Sequence, residues 1–386
     1  VVYLFLKYSR IRTLYIFSPY ILIYLNFIFN DAIPFLFFYP DVPENIQYTT
    51  FTAAIINLSF LFLFRKQAQV PISINLPLSS IKLNKKRKIL LSCFVFFLLW
   101  AGVMSGVLIN LLRGNNIEDL RRTSEIGVGV IRDIPMLGIQ IIMLVLFLQK
   151  TWKCYYKVVA FYSFCLSVFL FLTTGNKGGV LVGVTLFLLF FHLKKRGFKW
   201  YEYVLYYLAM PLAAGTLQGI RGGDLTLIAS QIAVFFSYPV ILYQANSIPI
   251  MNAVGTENFF WGEEYYTGLV KFIPRFLWPD KPLSFDYKLK ELANYDFEGG
   301  GIYTTLCNDL YINFGYYYFI FYILWLLFIH YLYGMVMDDK RFYYSRIIAL
   351  FIILMGGIAS TIGSCEILLL FLLFLILYYS CLLYTS

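Results

Sequence analysis

The chain is a succession of apolar runs separated by short polar connections. A helix crosses about 30 Å of hydrocarbon with roughly 17–25 apolar residues. Runs of that kind lie near 14–30, 48–64, 89–110, 134–149, 157–174, 178–193, 203–219, 310–333, 346–363 and 367–384. Each predicts a helix, because a backbone in lipid has to satisfy its hydrogen bonds within the segment. The short alternating segments of a closed barrel do not occur in the sequence. The pattern therefore predicts an all-α polytopic membrane protein of about ten transmembrane helices, with residues 1–386 forming one integral membrane domain.

The polar connections alternate in character. One set is basic: "KYSRIR", "RK" through "KLNKKRK", "KTWKCYYK", "KKRGFKW" and "DDKRFYYSR". The other set holds most of the acids. Lys and Arg collect in cytoplasmic loops, so the basic set is expected inside. That bias accounts for the net charge of +10 and leaves no call for a nucleic-acid partner. The opening "VVYLFLKYSRIR" runs from apolar to basic, the reverse of a secretion signal, and is expected not to be cleaved as one. Residues 220–305 form one large extracytoplasmic loop between the seventh and eighth runs. Within it, 225–245 either spans or lies at the interface. The acids of 246–305 outnumber its cations, which favours an interfacial or re-entrant helix, and Pro239 suits a bend there.

Composition sharpens the class. Apolar residues make up 60% of the chain and charged residues 13%, against about a quarter charged in a soluble domain. The six cysteines include no CxxC pair, and His192 and His330 are the only histidines, so no His-rich metal centre is expected. A Cys307–Cys365 disulfide on the outer side stays open.

Candidate chemistry gathers in the outer connections. "IPRFLWPDKP" (273–282) combines three prolines with Arg275, Trp278 and Lys281. Prolines stiffen the mount, and Trp278 favours the headgroup region. Arg offers a planar fork to phosphate and Lys a point charge, so the segment suits a phosphate-bearing lipid; ordinary interface anchoring is the alternative. "GIRGGDL" sets Arg221 between glycines, "TTGNKGG" sets Lys177 in a tight turn, and "LLRGNNIEDLRRTSEIGVGVIRD" contributes Arg113. Neighbouring acids there, such as Glu118 and Asp119, can simply neutralise Arg121, Arg122 and Arg132. Asp309 begins the eighth run, where partial desolvation makes a carboxylate a useful base; a helix N-terminal acid favoured by the macrodipole is the alternative.

"IPRFLWPDKP", followed downstream by "IYTTLCNDLYINFGYYY", resembles bacterial O-antigen and capsular oligosaccharide repeat-unit polymerases of the Wzy type. "TTGNKGGVL" is similar to a turn of that family, which commonly carries Arg where this chain has Lys177. Asn308-Asp309 departs from it, since an acid such as Glu after a small residue is expected there. The resemblance covers about 170–335 and elsewhere extends to topology alone.

The resemblance implies a GT-C-like fold related to O-antigen ligases. It implies a metal-independent glycosyltransferase, without cofactor, on the outer face of the bacterial cytoplasmic membrane. The substrates would be oligosaccharides on undecaprenyl pyrophosphate, among membrane lipids, with a polysaccharide chain-length regulator as partner. Arg221 and Arg275 would hold the pyrophosphate and Asp309 would deprotonate the acceptor. Lys281, Lys177, Arg113 and Trp278 would bind substrate. A ligase is the nearest rival, but an outer-face His is expected of it and both histidines fall at cytoplasmic run ends. Asp31 in "NDAIPF" is a lone acid for a metal-dependent GT-C enzyme. A lipid-linked oligosaccharide flippase or other transporter predicts ionisable residues inside the spans, and the predicted runs carry almost none.

Overall fold

The computed structural model describes residues 18–67, 216, 237, 239–270, 273, 277–282, 285–295, 302, 304–338, 349 and 352–353. The chain divides into two compact units. Every described residue except Thr216 belongs to the second, made of Tyr15–Ile74, Ser237–Phe297 and Gly301–Ser386. The described residues are helical, without strands. The predicted runs between 89 and 219, and those near 346–363 and 367–384, fall outside them apart from isolated helical positions.

Among the described residues, three helices are long and apolar enough to cross a membrane: Pro19–Phe38, Glu44–Leu63 and Leu306–Met337. The first comprises α1 (Pro19–Phe27), a first π-turn (Ile28–Ala32) and α2 (Ile33–Phe38). The second is α3 (Glu44–Leu63), entered through Pro43 with Glu44 in its first turn, where a negative charge suits the helix dipole. The third is interrupted. α7 (Leu306–Phe314) ends at Gly315, and α8 (Tyr318–Met337) follows a short 3₁₀ turn.

α3 is built inside out relative to a soluble protein. Along α3, Asn45, Thr49, Ala53 and Asn57 recur every fourth residue and are buried. Phe51, Ile55, Leu58 and Phe62 face outward, each more than half exposed. Polar groups turned inward and apolar ones outward is the arrangement lipid rewards. α8 buries Tyr318, Tyr322, Leu326, Ile329, Tyr333 and Val336 in a stripe at helical spacing, and its outward face, with Ile320, Leu324 and Leu327, is apolar as well.

Contacts fix the directions. Tyr318 donates to the Thr49 carbonyl at 2.7 Å, Tyr322 to Asn57 Oδ1 at 3.0 Å and Tyr333 to the Gln67 carbonyl at 3.3 Å. α3 and α8 therefore run parallel. α1 runs against them, since Tyr20 near its start shares a hydrogen bond with His330 Nδ1 at 2.6 Å. One end of the layer carries Arg65, Lys66 and His330; the other carries Asp31, Glu44 and the start of α7. This segregation follows the charge alternation of the sequence.

Span ends differ from the sequence reading. The first helix continues to Phe38 rather than stopping near 30. The π-turn takes up an extra residue just before Pro34, so proline and Asp31 sit within a continuous helix. The run predicted at 310–333 divides into α7 and α8, because Gly315 adopts φ 58° and ends α7. The helix expected to end near 245 passes through a second π-turn (Tyr243–Ser247) into α4 (Ile248–Val254). Beyond it, α5 (Glu263–Val270) and α6 (Phe285–Leu292) belong to the long loop. Phe260 N donates to the Ile312 carbonyl at 3.1 Å and ties that loop to α7.

Gly315 has no room for a side chain. A Cβ there would lie 2.5 Å from the Phe259 ring, and φ 58° with ψ −138° is open mainly to glycine. Gly315→Ala is expected to cost about 2–4 kcal/mol, from left-handed strain and overpacking together. Thermal unfolding of the purified protein in detergent would show it as a lowered Tm.

Candidate functional site

The most polar part of the described structure surrounds α7. Thr305 caps this helix in extended conformation, φ −76° and ψ 157°, and its side-chain oxygen accepts from the Asn308 backbone N–H at 3.3 Å. That is the ordinary task of a threonine N-cap. Neighbours cover α7 on all sides: Cys307, Asn308, Asp309, Tyr311 and Asn313 are all buried. Each polar atom among them needs a partner within the protein.

Two polar faces result. On one, Asn308 Oδ1 accepts from Thr49 Oγ1 of α3 at 3.2 Å. Asp31 is within electrostatic reach of the Tyr243 phenol and the Cys307 thiol. On the other, Asp309 Oδ1 accepts from Thr304 Oγ1 at 3.0 Å. Asn313 Nδ2 donates both to the Asp309 carbonyl at 3.0 Å and to Glu264 Oε2 at 2.6 Å. Glu263, beside Glu264, is paired with Lys288 of α6.

The predicted site residues are placed as follows. Asp309 lies in the first turn of α7, at the start of the apolar stretch Leu306–Met337, and is buried. Lys281 turns back on its own segment, donating from Nζ to the Ile273 carbonyl at 2.9 Å, while its backbone N–H donates to the Trp278 carbonyl at 3.2 Å. Trp278 is half-buried in that turn. Arg113, Lys177, Arg221 and Arg275 lie outside the described residues. Cys307 is a free, buried thiol, and Cys365 lies outside the described residues. Among the described residues no three His, Cys, Asp or Glu side chains converge to hold a metal ion.

Sequence reasoning passed over Asn45, Thr49, Asn57 and Asn313. For the three on α3 the signal is a polar stripe every four residues inside an apolar run, the mark of a span face turned away from lipid; Asn313 follows Asp309 at the same spacing on α7. Asn45 illustrates its use: Nδ2 donates to the Met251 carbonyl at 2.7 Å and fastens α3 to α4.

Thr305→Val removes the cap. A loss of about 1 kcal/mol is expected, with Thr305→Ser close to wild type. Thermal unfolding of the two variants side by side is the measurement.

No protein-family model matches this chain, and neither a curated protein nor a solved structure does.

Proposed function

We propose that this protein is a membrane glycosyltransferase that polymerises oligosaccharide repeat units carried on undecaprenyl pyrophosphate, on a GT-C-like fold at the outer face of the bacterial cytoplasmic membrane. The observation that carries the reading is Asp309. It is a buried carboxylate held by Thr304 at the acidic end of the helical layer. Its segment follows the proline-rich turn that bears Arg275 and Lys281 in sequence.

The chemistry follows from those groups. The acceptor hydroxyl oxygen attacks C1 of the donor sugar while its proton passes to Asp309. The C1–O bond to pyrophosphate breaks, and the electron pair leaves on the lipid pyrophosphate. Arg221 and Arg275 take up the charge that builds there, with Lys281 and Lys177 assisting. Arg113 and Trp278 hold the lipid-linked substrate. A single displacement inverts the anomeric centre. A chain-length regulator would act as partner.

Transport is the second reading, and one observation favours it. Asp31, just beyond the predicted first run, lies inside the helix Pro19–Phe38 and is 3% exposed. A flippase predicts such an intramembrane carboxylate.

A surface-polysaccharide ladder from a strain lacking this gene separates the readings. A single-repeat band in the null, with the ladder restored by wild type, supports polymerisation; no attached repeat at all supports transport. Asp309→Asn is expected to lower chain elongation about 100-fold or more, the range of a lost general base. Arg275→Ala is expected to abolish the ladder, and a full-length ladder from that variant would remove the pyrophosphate assignment.

A further inference from the structure

α5 is too short to span, yet it is turned the wrong way round for a helix in water. Its inward face is polar. Thr267 is buried, with its hydroxyl donating to the Glu264 carbonyl at 2.9 Å, and Glu264 Oε2 accepts from Asn313 of α7. Its outward face is apolar, with Tyr266 and Leu269 each half exposed or more. These two lie three residues apart, on the side of the helix opposite Glu264 and Thr267. Lipid rewards such a reversal, as it does along α3. Eight residues make about 12 Å of helix, well short of the hydrocarbon thickness, so the lipid contact that suits α5 is interfacial.

Ring contacts set the level of this face. Phe321, on the outward side of α8, stacks on Phe314 at 3.6 Å, and Phe314 stacks on Tyr265 of α5 at 5.7 Å. These rings carry the apolar outer face of α8 on to α5. Trp261, two residues before α5, is 66% exposed and meets the Phe259 ring edge-on at 6.1 Å. Phe259 lies against Gly315 at the head of α8, where Tyr316 and Tyr317 are exposed as well. Trp261 thus stands where the α8 span begins, the place of an interfacial aromatic. It holds that place at φ 50°, a costly conformation for a bulky residue, and the ring still stays outside the protein. Glu263, at the border of the face, is paired with Lys288.

We propose that Trp261 and α5 dock on the bilayer surface, with Trp261, Tyr266 and Leu269 seated at the boundary of headgroups and acyl chains. The proposal rests on α8 being a span and not on the sugar chemistry. α5 then has lipid on one face and Asn313 on the other, so the bilayer holds the long loop against α7.

The test reads Trp261 by difference, since the chain has six tryptophans. The purified full chain and its Trp261→Phe variant are placed, one copy per disc, in phosphatidylcholine nanodiscs, plain or brominated near the headgroup end of the acyl chains. The emission that the substitution removes is that of Trp261. It is expected to lose about half its intensity or more in brominated lipid and to be spared by iodide in the water. Leu269→Glu is expected to weaken the bromine quenching about twofold and to admit iodide. Should Trp261→Phe fail to fold, Tyr266→Trp reads the same face as an emission gained. Iodide quenching without bromine quenching puts the ring in water, as a sugar-stacking platform requires, and overturns the proposal. Insensitivity to both quenchers puts the ring inside protein and overturns it as well, as does bromine quenching that Leu269→Glu leaves untouched.

Discussion

The side chain of Thr305 meets a demand that a buried helix start makes unavoidable. Its oxygen accepts from the Asn308 N–H, which the first turn of α7 leaves unpaired. Thr305 and Asn308 are both buried, so that N–H needs its partner inside the protein. α7 is covered on all sides because the partners of its polar groups come from several directions: α3 through Thr49, the long loop through Glu264, and the residue before the cap through Thr304. The threonine side chain is small enough to stand where those elements meet.

Much of the fold was legible as length and polarity. Apolar runs located the three described spans, and the distribution of Lys and Arg gave the sense in which α1 runs against α3 and α8. The ends were harder to read. A charge inside a span normally marks its limit, so Asp31 read as the start of a connection. The π-turn that keeps it helical is a matter of hydrogen-bond register, which hydropathy does not record. Gly315 posed the opposite problem. Tyrosines and apolar residues flank it, so the run looked continuous, and only the Phe259 ring and the positive φ reveal why the helix has to end there.

The site was legible in part for a similar reason. Asp309 stood out as a carboxylate beside an apolar run. Thr304, which holds it, did not, because threonine is common at helix starts and its role depends on which oxygen it meets. Lys281 was read as a cation presented outward. The structure shows its ammonium hydrogen-bonded to the Ile273 carbonyl, so part of what the prolines were expected to do in stiffening this turn is also done by the lysine.

The interruption at Gly315 also sets a depth. α8 alone has 20 residues, about 30 Å of helix, enough to fill the hydrocarbon by itself. The nine residues of α7 would add about 14 Å to it if the helix ran straight on. Instead Asn308, next to Asp309, is hydrogen-bonded to Thr49, whose carbonyl also takes the Tyr318 hydroxyl. The break at Gly315 thus lays Asp309 beside the starts of two spans instead of carrying it a helix-length away from them.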